Sequence, residues 1–265
     1  DIVRHQKSRI GGTRVHKVLL ASVSAVALTC SAASAQAAPP TPMTWTGFYV
    51  GANAGYAWGN ADPTMIGSVT GPPFSLPAAT GPVPSLNPRG FIGGGQAGYN
   101  WQTGQWVVGA EVDFSGLDAK ADAAVSPFFM NKPNVTTWSS RYDWLLTARV
   151  RGGFLVAPNW LLYATGGLAV THVKDSVVCT ATGNGCYNFG PGGVTVSWSD
   201  STTLAGGTIG GGLEAMFAPN WTARVEYLYA KFKDTTPDIV SFPASPPAPF
   251  PSLFSFHHDL NLVRF

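Results

Sequence analysis

The sequence predicts an all-β fold: an eight-stranded antiparallel up-and-down transmembrane β-barrel with short periplasmic turns and four long extracellular loops. Three observations carry that expectation. Composition comes first. Charged residues make up only 11% while Gly numbers 31 and Trp 9, against roughly 25% charge in a soluble globular chain. Either a large dry core or a lipid-facing surface must absorb the missing charge. The second is strict period-two alternation. In "GAEVDFSG", Val108, Ala110, Val112 and Phe114 fall on one side and Gly109, Glu111, Asp113 and Ser115 on the other, as in a strand with one apolar and one polar face. The third is loop length. Short links "TGQ", "APN" and "APN" alternate with long ones such as "ADPTMIGSVTGPPFSLPAATGPVPSLNPRG", the rhythm of an outer-membrane barrel and an unusual one for a compact soluble domain.

Residues 1–37 read as a signal peptide. Arg4, Lys7, Arg9, Arg14 and Lys17 precede the apolar run 18–29 and then "SAASAQAAPP", with Ala35-Gln36-Ala37 as the cleavage site. The run is shorter than the ~20 apolar residues of a spanning helix. The chain opens on Asp1 rather than Met, so the first residues are expected to be a mis-called start. Cys30 does not sit in a lipobox, because Ala27 and Thr29 hold the flanking places. The whole chain has 16 Lys+Arg and 14 Asp+Glu; without residues 1–37 it keeps 11 and 13. The basic balance belongs to the targeting segment, and no nucleic-acid partner follows from it. Residues 38–44 form a short N-terminal segment, and 45–265 the barrel.

Eight strands are expected at about 45–58, 90–102, 106–115, 142–155, 160–173, 203–217, 221–232 and 257–265. In the first, Phe48, Val50, Ala52 and Ala54 oppose Tyr49, Gly51, Asn53 and Gly55. In the fourth, Trp144, Leu146, Ala148 and Val150 oppose Leu145, Thr147, Arg149 and Arg151. In the fifth, Leu162, Ala164, Leu168 and Val170 oppose Tyr163, Thr165, Ala169 and Thr171. In the seventh, Ala223, Val225, Tyr227 and Tyr229 oppose Arg224, Glu226 and Ala230. Each "APNW" is a tight turn at the periplasmic rim, and Trp101, Trp106, Trp160 and Trp221 form an interfacial girdle there. With Pro219 as pivot, Glu214 faces Arg224. With Gly104-Gln105 as a two-residue turn, Phe91, Gly93, Ala97 and Tyr99 share a side with Val108 and Val112.

The polar faces carry Glu111, Asp113, Arg149, Arg151, Glu214, Arg224 and Glu226. Counted upward from the turns, Glu111 lies level with Arg151 and Asp113 with Arg149, giving cross-strand ion pairs. An eight-stranded barrel is just wide enough for side chains to fill, so a paired charge cluster that fills the lumen is expected, with a small pore as the alternative. A catalytic carboxylate set fits the balanced signs less well. Cys179 and Cys186 in an exported chain point to one loop disulfide; a metal pair is the alternative, and neither a metal site nor a cofactor is predicted. Gly93 to Gly98 match G-x-G-x-x-G but lie inside an alternating segment rather than before a helix. His172, His257 and His258 fall near strand ends on the loop side, and with Asp259 and loop serines they outline a possible lipid hydrolase; loop-exposed histidines are the expectation. The sequons at Asn134 and Asn220 carry no weight in a bacterial chain.

The segments "WTGFYVGANAGYAWG", "FIGGGQAGYNWQTGQWVVGAEVDF", "LTARVRGGFLVAPNWLLYATGGLAV", "GGTIGGGLEAMFAPNWTARVEYLYAKF" and "HDLNLVRF" resemble the alphaproteobacterial outer-membrane β-barrel proteins, known as outer-membrane immunogenic or OmpA-like porin-family proteins. The resemblance implies an eight-stranded barrel in the outer membrane of a Gram-negative cell, acting as a surface antigen or envelope-organising protein, and in some members as a porin or haemin binder. It implies no catalytic residues. It implies outer-membrane lipid, lipopolysaccharide and the barrel assembly machinery as partners, with the loop ligand unknown. Family chains continue past "LVRF" to a further aromatic ending, so the last strand is expected to be truncated at Phe265. The function expected is structural and surface-interacting, without enzymatic activity; the alternatives are a small-solute porin, a haemin binder or, further off, a lipid-modifying enzyme.

Overall fold

The computed structural model describes residues 44–68, 84–125, 128–129, 132–181, 194–234, 238–242 and 250–265. Residues 1–37, Cys30 and Cys186 lie outside them. Ten strands are present: β1 Gly47–Ser68, β2 Arg89–Thr103, β3 Trp106–Val125, β4 Phe128–Phe129, β5 Lys132–Ala157, β6 Trp160–Ala181, β7 Val194–Ala218, β8 Trp221–Phe232, β9 Asp238–Phe242 and β10 Phe250–Arg264. Eight of them, β1, β2, β3, β5, β6, β7, β8 and β10, follow one another antiparallel around a ring that closes by pairing β1 with β10. The short β4 and β9 are additions at the loop end, paired with β5 and β10.

Alternation makes this ring. On β3, Glu111, Asp113, Ser115, Leu117 and Ala119 are buried, while Val112, Phe114, Gly116 and Asp118 between them are exposed. Outward-facing Phe48 is 89% exposed and Val50 86%. Apolar side chains outward and polar ones inward is the arrangement of a barrel whose solvent is lipid.

The strands run further at the loop end than their hydrophobic pattern predicts. β3 continues to Val125 instead of residue 115, β5 begins at Lys132 instead of 142, β6 ends at Ala181 instead of 173 and β7 begins at Val194 instead of 203. β1 likewise continues to Ser68, and β10 begins at Phe250. Pairing persists there, from Thr136↔Cys179 to Ser139↔Ser176, but the outward residues become Ser, Thr, Asp and Lys. On β3 the alternation reverses rather than stops, with Leu117 and Ala119 buried and Asp118 and Lys120 exposed, so the extension lacks the apolar outer face by which the membrane-spanning part is recognised.

At the other rim the turns are as tight as expected. Thr103 pairs Trp106 around Gly104, which has φ of +60°. Ala157 pairs Trp160, and Ala218 pairs Trp221. The two Pro-Asn turns nevertheless differ. Asn220 has φ of 65° and is the one non-glycine with positive φ among the described residues, as the third position of a type II turn requires; Asn159 does not adopt it. The first turn is tied to its neighbours instead: the Asn159 carbonyl accepts from the Met216 N–H at 2.9 Å, and the Pro158 carbonyl accepts from Trp45 Nε1 at 3.3 Å.

Inside the ring the side chains form tiers. At the turn end Trp45, Val107, Leu155, Leu161, Tyr163 and Met216 make an apolar cluster. Trp45 was expected inside the first strand but precedes it, anchored by its N–H to Gln102 Oε1 at 2.9 Å. Charged residues lie above it, and above them a second apolar tier includes Leu117, Tyr142, Leu145, Leu204, Leu228, Leu260 and Leu262. Close approach of strands also fixes composition: a Cβ at Gly90 would lie 1.7 Å from the Asp118 carbonyl oxygen.

Candidate functional site

The charged tier draws its ionic residues from five strands and two tyrosines from two more. β3 contributes Glu111 and Asp113, β5 Arg149 and Arg151, β7 Glu214, β8 Arg224 and Glu226, and β10 Arg264; β1 and β6 add Tyr49 and Tyr163. All are inward because each shares parity with the buried side of its strand. Every expected charge is therefore present in one place, joined by Arg264, which was not foreseen.

Arg149 is the hub. Its guanidinium contacts Glu111, Asp113 at 3.0 Å and Glu226 at 3.0 Å. Arg264 bridges Asp113 and Glu226, each at 2.8 Å. Arg224 reaches Glu111 at 2.5 Å and also donates to Gln96 Oε1. Arg151 pairs with Glu214 at 2.5 Å and lies 4.0 Å from the Tyr163 ring centroid, a cation–π contact. Two tyrosines stitch the halves together. Tyr49 O–H donates to Glu111 at 2.6 Å and accepts from Arg151 at 3.4 Å; Tyr163 O–H donates to Glu226 at 2.9 Å. Thr147 O–H donates to Asp113.

Four cations and four carboxylates are thus buried together, which is how ionised groups survive away from water. Little acid–base chemistry is left to such a site. Each carboxylate is engaged by at least one guanidinium, and among the described residues no three His, Cys, Asp or Glu are placed to hold a metal ion.

The expected pairing needs correction. Glu111 stands opposite Arg149, Asp113 opposite Thr147, and Arg151 opposite Gly109. Counting from the turns assumed that β3 and β5 start level, but Trp106 pairs with Phe154, so β5 begins lower by the stagger that barrel closure imposes. Arg149 still reaches Asp113 diagonally, whereas Glu111 meets Arg151 only through Tyr49. Glu214 does stand opposite Arg224, yet their side chains part, one to Arg151 and the other to Glu111.

Trp101, Trp106, Trp160 and Trp221 are all exposed on the outer surface beside the turns, with Trp106 edge-on to Phe154 at 5.3 Å. Cys179 is buried and disulfide-bonded; its expected partner Cys186 lies outside the described residues. The histidines separate. His172 stacks on Trp144 at 6.1 Å on the outside, and His257 is exposed, 3.3 Å from Asp234. His258 is not loop-exposed: it points inward, 2% exposed, with Nδ1 at 2.8 Å from the Tyr142 hydroxyl and Nε2 at 3.4 Å from Asp175. Adjacent strand residues face opposite sides, so His257 and His258 do not share a site, and Asp259 bonds Asn60 instead.

Parity gave the charged tier; Arg264 and Trp45 were missed. Arg264 shares the parity of buried Leu260 and Leu262 on β10, which is the signal that finds it. Trp45 precedes the first strand, where alternation no longer applies.

A family model for the outer membrane protein beta-barrel domain matches residues 23–245. The chain is 34% identical over 230 residues to the 31 kDa outer-membrane immunogenic protein of Brucella melitensis, covering 80% of this chain and 85% of that one. It is 30% identical over 210 residues to the 22 kDa outer membrane protein of Rhizobium leguminosarum bv. viciae, with 78% and 74% covered. Among solved structures it is similar to Ail, the attachment invasion locus protein of Yersinia pestis, at 16% identity and a TM-score of 0.26, covering 80% of this chain and 98% of that one.

Proposed function

The chain belongs to the outer membrane protein β-barrel domain family and resides in the cell outer membrane, and from that premise we propose that it is a non-enzymatic envelope and surface protein whose lumen does not conduct. The observation that carries this reading is the Arg149 hub. A guanidinium with no exposed side-chain surface, in contact with three carboxylates from two other strands, occupies the place where an aqueous pathway would have to run. The apolar tier above it, with Leu145, Leu228, Leu260 and Leu262 at 0% exposure, offers water no hydrogen-bonding partner. With the interior committed to neutralising itself, the outer surface and the loop end are left to meet ligands, as befits relatives named as immunogenic. The Trp girdle and the apolar outer face would hold the barrel in lipid.

The test is a single-channel recording on the refolded protein in planar bilayers. The expected trace is silent; steady openings of reproducible size would overturn the reading in favour of a diffusion pore.

A further inference from the structure

On the outer surface, strand register assembles a feature that no single segment reveals. Arg89 on β2 pairs with Lys120 on β3, Lys120 with Arg141 on β5, and Arg141 with Lys174 on β6. One cation from each of four consecutive strands therefore lies in a single cross-strand row, with neighbours about 5 Å apart. All four residues are exposed. We propose that this row binds the phosphorylated sugar headgroup of an outer-leaflet glycolipid.

Height on the barrel argues for a lipid. The four cations sit about 14 to 16 residues from the turns that bound their strands, whereas about 10 residues of tilted strand cross the apolar layer. Directly below them the outer face is apolar and then aromatic: Phe114, Leu146, Leu168 and Val170 lead up to Trp144, which lies 5.9 Å from Phe114 and is stacked on His172. Acyl chains lying along that belt place their headgroups, and so their phosphates, at the cation row.

Charge and hydrogen bonding fit the same occupant. Arg141 is held by Asp118 at 3.3 Å and Asp143 at 3.8 Å, and Lys174 by Asp143 at 2.5 Å. These carboxylates fix two of the cations, and Arg141 keeps further N–H groups to donate. Arg89 and Lys120 make no ion pair among the described residues. Asp122 lies one step above Lys120 on the same face. Beside the row, a groove of about 580 Å³ is lined by Lys120, Arg141 and Lys174, by the carboxylate-bearing Asp122, Asp175 and Asp200, and by serines including Ser139 and Ser199, hydroxyls suited to sugar oxygens. Elsewhere around the ring this density of cations does not recur among the described residues: β8 presents Lys231, and β10 and β1 present Asp259 and Asn60. The row does not depend on whether the lumen conducts, so the two proposals stand or fall separately.

The experiment measures binding of fluorescently labelled lipopolysaccharide to the refolded protein in a zwitterionic detergent, by polarisation. Three chains are compared: wild type, the double variant Arg89→Gln with Lys120→Gln, and Lys231→Gln as a control on the far side. Each cation near an anionic surface contributes enough that losing two should weaken binding about 30-fold. Dephosphorylated lipopolysaccharide should bind wild type correspondingly weakly, while Lys231→Gln should match wild type. All four side chains are solvent-facing, so the heat-modified gel shift should be preserved and report correct folding. A loss of about tenfold or more confined to the double variant supports the site. A smaller loss overturns it, as does an equal loss in Lys231→Gln. Displacement of the labelled lipid by inorganic phosphate at similar concentration overturns the lipid assignment.

Discussion

Replacing Arg149 with Met removes the one group that touches Glu111, Asp113 and Glu226 together. None of the three is left bare. Glu111 keeps Arg224 and Tyr49, Asp113 keeps Arg264 and Thr147, and Glu226 keeps Arg264 and Tyr163. Yet the tier changes from four cations against four carboxylates to three against four, with the excess charge out of reach of water. Deleting one partner of a buried ion pair costs about 3–5 kcal/mol. With a urea slope of about 2 kcal/mol per molar, the unfolding midpoint should fall by about 2 M. The assay is tryptophan fluorescence in urea on protein refolded in micelles, with the heat-modified gel band as a second readout. Adding Glu111→Gln restores the balance of charge, so the double variant should be less destabilised than the sum of the single variants by at least about 1 kcal/mol. A midpoint for Arg149→Met within about 0.5 M of wild type, or simple additivity in the double variant, would refute the hub. Glu111→Arg should be worse than either single change, because it sets a cation opposite Arg149 and against Arg224 rather than against Arg151.

Trp45→Ala empties the apolar cluster at the turn end and drops the bond to the Pro158 carbonyl; a loss of about 3 kcal/mol in the same urea assay is expected. The two Pro-Asn turns should answer differently to one change. Asn220→Ala, at φ of 65°, should destabilise by about 1–2 kcal/mol and Asn220→Gly hardly at all, whereas Asn159→Ala should leave the midpoint close to wild type. Equal responses at the two positions would contradict the distinct turn geometries.

What the sequence revealed and what it hid divide along one physical line. Within the membrane, each residue's neighbour across the wall is either lipid or another side chain, so hydrophobicity alternates and parity can be read directly. That is why Glu111, Arg149, Glu214 and Arg224 were found inward and Phe48 and Leu168 outward from the sequence. Register between non-hairpin neighbours is different. The stagger of β3 against β5 depends on how the whole ring closes, and no local pattern encodes it; Glu111 was therefore matched to the wrong arginine. Above the membrane the outward face meets water instead of lipid while the inward face turns apolar. Residues 116–123 therefore alternate in the opposite sense, with Leu117 and Ala119 inward and Asp118 and Lys120 outward, and a search for strands with an apolar outer face stops short of them. The inward apolar tier was legible in part. Leu117 follows Ser115, Leu145 precedes Thr147 and Leu228 follows Glu226 at the same parity, so each charged run gives way to leucine one step on.

That ordering bears on why the interior is built in tiers. A polar interior open to water at both ends would let each charge keep its hydration, and the ion pairs would contribute little. Here the charged tier lies between apolar clusters, Trp45 with Leu161 on one side and Leu145 with Leu260 on the other. Excluding water strengthens every guanidinium–carboxylate contact and at the same time makes any missing partner expensive. The strands that supply those partners, β3, β5, β7, β8 and β10, are held in a single stagger, because a shift by two residues would separate Arg149 from its carboxylates. The outer face cannot supply that restraint, since lipid accepts any apolar side chain at any height. In this barrel the exterior decides where the protein resides, and the charges buried inside decide which register closes the ring.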